Sequence, residues 1–411
     1  MTNEKKLLPP MLQGLRVLDI SHQYSGANAA ALLGDLGAEV IAIEHPQGSP
    51  IRTMLPKKDG ESLWWKVVQR GKSSITLNLS TPRGRELFLT IAKDFDVLIE
   101  NFRPGTLERW GIGPEELEKS GCNLALLRIS GFGQTGPSRN LPGFGTIAEA
   151  LSGFAHMNGY PDGPPTFPST TLADGVSSVF GAMGVLAALL GNIRNNTRGV
   201  EVIDVALFES MFRIIPTQVA TYDQLGKAQR RPGNFLGDHG VLRNVYCTQP
   251  PEDKYLCISS VGTQAIRRIL VGAGAHELVE IINTGIMTDP STVKVEAFLG
   301  ACNEHLIKWA AARPYNELVA DLAAAGAVFS PVYSMAEIVN DPHYLARDDL
   351  VKVPDDDLGP ILMQGIVPKF PARNHQLTQA GKGRGSSNAE FYGQLGLSEA
   401  EISALQVDGV L

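Results

Sequence analysis

The feature that most constrains this fold is an alternation within the first 130 residues. Residues 15–20 (LRVLDI), 39–44 (EVIAIE), 74–79 (SITLNL), 96–99 (DVLI) and 124–129 (LALLRI) are short apolar runs with the length and composition of buried strands. Helix-compatible stretches separate several of them. Residues 26–36 are rich in Ala and Leu and stop at Gly37, as a helix stops before a glycine. Thr81-Pro82 offers a capping hydroxyl and a first-turn proline, opening a helix that runs towards Lys93. Residues 113–119 form a polar stretch before the fifth run. Strands and helices in this rhythm fold as a parallel sheet with helices on its faces. The expectation is an α/β protein with a Rossmann-like large domain.

Further along, the rhythm loosens. Residues 131–145 (GFGQTGPSRNLPGFG) and 160–168 (YPDGPPTFP) are glycine- and proline-rich loops, with a helix beginning across 146–154. A long apolar helix follows at 174–194, then a strand at 200–205 (VEVIDV) and a helix from Ala206. This last βα unit closes a first domain, 1–225. Residues 226–330 read as a smaller α+β domain. It has a turn-rich entry at 230–240 (RRPGNFLGDHG), strands at 245–248 and 255–259 around Pro250-Pro251, and helices at 297–311 and 315–325. The segment 331–411 returns to short strands, such as 365–368, and ends in a helix near 398–405. At 411 residues the chain is long enough to bury a full core without staples.

Several function classes are disfavoured. A net charge of −7 opposes general nucleic-acid binding, while leaving room for a small basic pocket. Cys122, Cys247, Cys257 and Cys302 form no C-x-x-C pair, so neither a zinc site nor a disulfide framework is expected. Residues 1–10 lack the apolar stretch of a signal peptide. The most apolar segment, 176–190, is interrupted by Ser177, Ser178, Gly181 and Gly184 and reads as a buried helix, not a membrane span. The expected location is the cytoplasm. The strand ending at Glu44 suggests a dinucleotide site, but residues 21–26 (SHQYSG) lack the G-x-G-x-x-G spacing that lets backbone approach a pyrophosphate. There is no G-x-S-x-G elbow, no P-loop and no H-E-x-x-H, and the eight histidines are scattered. A sheet of this kind still places its ligand at the carboxyl ends of its strands.

Asp174 stands at the start of the long apolar helix, after residues 171–173 (TLA). Locally it reads first as a helix cap. The same position suits a reactive carboxylate. A helix start favours the ionised form, Gly175 leaves room for a bulky substrate, and a carboxylate there can act as a covalent nucleophile.

Residues 15–44, 99–111 (IENFRPGTLERWG), 131–137 (GFGQTGP) and 172–184 (LADGVSSVFGAMG) resemble, in order, the family III CoA-transferases. Residues 230–234, 244–248 (NVYCT) and 331–342 (PVYSMAEIVNDP) extend the resemblance over nearly the whole chain. This group includes formyl-CoA:oxalate and carnitine CoA-transferases. The resemblance implies an enzyme that moves coenzyme A from a donor acyl-CoA, such as succinyl-CoA, to an acceptor carboxylic acid. Asp174 would be its catalytic nucleophile, working through an aspartyl anhydride and an aspartyl-CoA thioester. CoA-binding positions carried over are Tyr24, Ser25, His45, Leu77, Asn78, Ser80, Asn101, Phe102, Arg103 and Arg109, the arginines suiting phosphates. Pro142 stands where some relatives carry a lysine. CoA is then a substrate, with no cofactor permanently bound.

The resemblance also implies an interlocked, ring-like dimer, in which both ends of the chain build the large domain and the small domain lies between them. A homodimer is the first expectation and a heteromer the second. Gly237 and Gly240 are candidates for a loop covering the intermediate, with an ordinary surface turn as the alternative. Two other readings accompany the transferase. An acyl-CoA racemase shares the fold but carries Gly-His-Asp where this chain has Gly143-Phe144-Gly145, leaving His156 to imitate the acid/base pair with Asp174. The other is a non-catalytic CoA-binding subunit of a heteromer.

Overall fold

The computed structural model describes residues 7–237, 240–251 and 254–411. The opening alternation folds as β1 (Arg16–Asp19), α1 (Tyr24–Asp35) and β2 (Glu39–Glu44). A two-residue ladder, β3 (Lys57–Lys58) and β4 (Glu61–Ser62), leads into α2 (Leu63–Val68) and β5 (Ser73–Thr76). Then come α3 (Pro82–Ile91), β6 (Val97–Glu100), α4 (Thr106–Trp110), α5 (Pro114–Lys119) and β7 (Leu124–Ser130). The loop after β7 reaches α6 (Gly145–Leu151) and α7 (Phe154–Met157), followed by α8 (Leu172–Asn195), β8 (Val200–Ala206) and α9 (Leu207–Arg213). Thr81 caps α3 as its sequence position predicts, its hydroxyl accepting from the Gly84 amide.

Six strands form one sheet in the order β5-β2-β1-β6-β7-β8, every pair parallel. The order reverses between β1 and β6, so the connections from these two strands leave in opposite directions and open a crevice at their carboxyl ends. Successive residues point to opposite faces. Leu18, Leu98 and Leu126 enter one core with Phe88 and Tyr392, whereas Val17, Ile99 and Leu127 enter another with Leu33 and Val185. Coverage of both faces is why these central strands are continuous apolar runs instead of alternating ones.

α8 lies close against this sheet because glycines face it. A Cβ on Gly181 would come within 2.9 Å of the Leu127 side chain, and one on Gly184 within 2.9 Å of Ile203. By length and apolar character α8 is the one candidate membrane span among the described residues. Its inner face packs on α1, β7, β8 and α9. Its other face leaves Val179, Met183, Leu190 and Ile193 exposed.

The chain forms two compact units. One comprises the described residues up to 154, 167–220 and 342–411, and the other residues 155–166 and 221–341. The sequence places its boundaries at 225/226 and 330/331, whereas the units divide at 220/221 and 341/342. α10 (Gln218–Leu225) spans the first division. The second unit holds an antiparallel sheet in the order β11-β10-β9, made of β9 (Val241–Cys247), β10 (Tyr255–Val261) and β11 (Phe329–Pro331). Helices α11 (Thr263–Gly272), α12 (His276–Asn283), α13 (Thr292–Ala311) and α14 (Tyr315–Ala324) share its core, which buries Tyr246, Leu256, Ile266, Leu299 and Trp309.

After α15 (Met335–Ile338) the chain rejoins the first unit with α16 (Pro342–Ala346), β12 (Leu350–Val353), β13 (Ile361–Gln364), α17 (Asn388–Gln394) and α18 (Glu399–Val407). The strand expected at 365–368 is not formed; the pairing residues are those of β12 and β13. β5 is an edge strand, and α17 closes it. The Asn388 Oδ1 accepts from the Thr76 amide at 2.9 Å, its Nδ2 donates to the Thr76 Oγ1 at 2.7 Å, and the Tyr392 hydroxyl donates to the Thr76 carbonyl at 2.7 Å. An edge so occupied offers no ladder to another chain.

Candidate active site

The loops leaving β1, β2, β5 and β6 enclose one cleft at the carboxyl rim of the sheet. Ser21 and His22 come from β1, His45 and Pro50 from β2, Leu77, Asn78 and Ser80 from β5, and Phe102 and Trp110 from β6 and α4. His22 and Phe102 stack with ring centroids 4.8 Å apart and 13° between planes, and Trp110 meets Phe102 edge-on at 5.0 Å. Burial lowers the His22 pKa and so favours the neutral imidazole. Together the rings give the cleft an aromatic cluster on one side.

Buried polar groups fix the loops of this cleft. Asp19 Oδ1 accepts from the Ser21 amide at 3.0 Å and from the Ser21 hydroxyl, while Oδ2 pairs with the buried Lys72 ammonium at 2.8 Å. Asn101 Oδ1 accepts from the His22 amide at 3.0 Å, and its Nδ2 donates to the Gln23 carbonyl and the Ser25 Oγ. Glu100 Oε2 accepts from the Phe102 amide at 2.6 Å and Oε1 from Arg128 Nε at 2.7 Å. Glu44, which in a dinucleotide site would read a ribose, is engaged elsewhere. Arg52 grips it through Nε at 2.8 Å and Nη2 at 2.7 Å, and the Ser49 amide and Ser74 hydroxyl complete its bonding. Arg52 in turn stacks 3.5 Å over the Trp65 ring.

Asp174 is not the cap of α8. Thr171 occupies that position, and Asp174 is the third helical residue, in the first turn. Its carboxylate lies flush against the start of α6: a Cβ on Gly145 would come within 2.2 Å of Asp174 Oδ2. Any side chain there would displace the carboxylate. Beside it, the Tyr24 hydroxyl lies 3.8 Å from the position of a Cβ on Gly175. The buried Glu149, on α6, accepts from the Ala173 amide through Oε1 at 3.2 Å. The Ser178 hydroxyl lies 2.7 Å from both the Ser25 and the Asp174 carbonyl oxygens and has one proton to share between them, joining α1 to α8.

These surroundings correct one expectation. The helix start alone would keep the Asp174 carboxyl strongly acidic. Burial, and then the charge of Glu149, outweigh it and push the pKa up to about 6. Burial and the Asp174 charge raise the Tyr24 phenol as well.

The carried-over residues separate into groups. His45, Leu77, Asn78, Ser80 and Phe102 line the cleft. Ser25 and Asn101 face inward and hold the 22–25 loop by the bonds above. Tyr24 lines a neighbouring cleft with Trp64, Thr170 and Thr171. Arg103 and Arg109 are exposed, and Arg109 Nη2 donates to the Thr106 hydroxyl at 2.9 Å. Sequence reasoning missed His22, Trp110, Arg52 and Glu149. His22 and Trp110 carried a readable signal, since each stands within a segment that follows a strand end. Phe144, where a racemase histidine would stand, is exposed beside Gly145. Gly240 donates its amide to the Gly237 carbonyl at 3.0 Å, and the two residues between them lie outside the described residues.

Known proteins share both sequence and fold with this chain. The sequence pattern of CoA-transferase family III matches residues 12–381. Succinyl-CoA–D-citramalate CoA-transferase of Chloroflexus aurantiacus is 33% identical over 409 residues, with 98% of each chain covered. The beta subunit of succinyl-CoA–L-malate CoA-transferase from the same organism is 34% identical over 405 residues, covering 97% of this chain and 98% of the relative. Formyl-CoA:oxalate CoA-transferase of Streptomyces avermitilis is 30% identical over 420 residues, covering 97% and 99%. Among solved structures, a CAIB/BAIF family protein from Brucella suis has a TM-score of 0.80 at 25% identity, over 94% of this chain and 100% of that one. The Rossmann-like sheet, the cleft at its carboxyl rim and a match across nearly all 411 residues converge on one assignment: the chain belongs to CoA-transferase family III.

Proposed function

We propose that the chain transfers CoA from a dicarboxylic acyl-CoA such as succinyl-CoA to a carboxylic acid, with Asp174 as the covalent nucleophile. The observation that carries this reading is the partly buried Asp174 carboxylate, set in the first turn of α8 against a glycine whose missing side chain leaves room for it. The succinyl-CoA donors named for two relatives support the choice of donor.

An Asp174 oxygen attacks the donor thioester carbonyl. The C–S bond breaks, CoA leaves as thiolate, and a mixed anhydride forms. The thiolate attacks Asp174 Cγ, releasing the donor acid and leaving an aspartyl-CoA thioester. The acceptor carboxylate attacks Cγ in turn and expels the thiolate. That thiolate then takes the acceptor acyl carbon, which frees Asp174. A pKa of about 6 suits this sequence: roughly nine-tenths of the carboxylate is ionised at pH 7, and it is more basic than an ordinary aspartate. Exclusion of water preserves the thioester energy.

Asp174→Ala should abolish transfer while leaving the circular-dichroism spectrum and melting profile intact. In the wild type, hydroxylamine should trap an aspartyl hydroxamate, read by peptide mass, only when donor acyl-CoA is present. Transfer at the wild-type rate by Asp174→Ala would overturn the mechanism. The exposed apolar side chains of α8 support a second part of the proposal, that two chains associate through that face.

A further inference from the structure

The second unit contains a cavity of about 620 Å3, lined by Arg230, Arg231, Phe235, Gly237, His156 and Glu296 among others. That volume suits a small organic molecule. We infer that it binds a carboxylate of a small dicarboxylic acid, with Arg230 supplying the guanidinium fork. The inference rests on the proposed function in one respect, that acids of this class are the substrates.

The two arginines differ in what they already hold. Arg231 is half-buried and committed to backbone, donating from Nε to the Gly163 carbonyl and from Nη1 to the His156 carbonyl, both at 3.2 Å. Its neighbours continue the clasp. The Gly233 amide donates to the Gly159 carbonyl at 2.9 Å, and Asn234 Nδ2 reaches the Tyr160 hydroxyl at 3.4 Å. A Cβ on Gly233 would meet the Tyr160 ring at 2.8 Å, so the two segments touch directly. The wall that carries Arg230 is therefore fixed on both sides.

Arg230 itself is exposed, lines the cavity and makes no side-chain hydrogen bond or ion pair among the described residues. An arginine held on a fixed wall with its fork unspent is a ready partner for a planar anion, and a bidentate carboxylate is its best geometric match. Glu296, on α13, lines the same cavity and opposes an anion. The balance of two guanidinium charges against one carboxylate still favours a carboxylate ligand.

Titration calorimetry with succinate and with butyrate, at pH 7.5 and without CoA, tests this on the whole chain. Wild type should bind succinate more tightly than butyrate. Arg230→Gln should weaken succinate at least 10-fold, Arg230→Lys should fall between, and Glu296→Gln should tighten it several-fold. Equal binding of the two acids by the wild type, or undiminished succinate binding by Arg230→Gln, would overturn the inference. Calorimetry reads the cavity in the absence of transfer, so a failure of the Asp174 mechanism and a failure of this site give different results.

Discussion

At the scale of the residue, Asp174 depends on two neighbours that its local sequence does not reveal. Glu149 lies 25 positions upstream (174 − 149), on a different helix, and its charge helps raise the Asp174 pKa to about 6. The sign of the effect is fixed. Removing a negative neighbour makes the carboxyl more acidic, so Glu149→Gln should move the acid limb of the kcat/KM–pH profile from near pH 6 to lower pH. An unmoved limb would show that Glu149 does not act on the nucleophile. Gly145 is the second neighbour. Gly145→Ala would force a methyl group into the space of Asp174 Oδ2, 2.2 Å away, and should lower kcat on the order of 100-fold by turning the carboxylate aside. A near-normal melting temperature would accompany that loss. Read alone, residues 171–175 describe a helix cap. The family resemblance points to Asp174, but the fold makes Thr171 the cap and leaves the carboxyl less acidic than a helix start implies.

At the scale of the element, the strands were legible because a doubly covered sheet demands continuous apolar runs, and the helix ends because Thr81 opens one helix and Gly37 closes another. The 365–368 segment (GIVP) misled because its two apolar residues sit between Gly365 and Pro368 just past the ladder, which is built by the more apolar β12 and β13. The closure of β5 by α17 was not legible, since nothing in residues 73–76 names a partner 312 positions away. Asn388→Ala removes both side-chain bonds to Thr76 and leaves a buried amide without its acceptor. The expected cost is about 2–3 kcal/mol, measured by urea unfolding, with faster amide exchange at Thr76.

At the scale of the whole molecule, the exposed apolar face of α8 carries the prediction. Val179, Met183 and Ile193 are each more than half exposed, on a helix apolar enough to be taken for a membrane span. If two chains associate there, light scattering should give a mass near twice 44.2 kDa, and Met183→Glu with Ile193→Glu should return it to the single-chain value. A single-chain mass for the wild type would refute the association. The last consequence concerns how such a chain is made. β5 enters solution early in synthesis, but Asn388 and Tyr392, which seal its outer edge, follow more than 300 residues later. At roughly 5–20 residues per second the nascent chain carries an open strand edge for roughly 15–60 s. The protein's yield in a cell therefore turns on chaperone supply and translation speed during that interval, and slower ribosomes lengthen the exposure that a finished molecule no longer has.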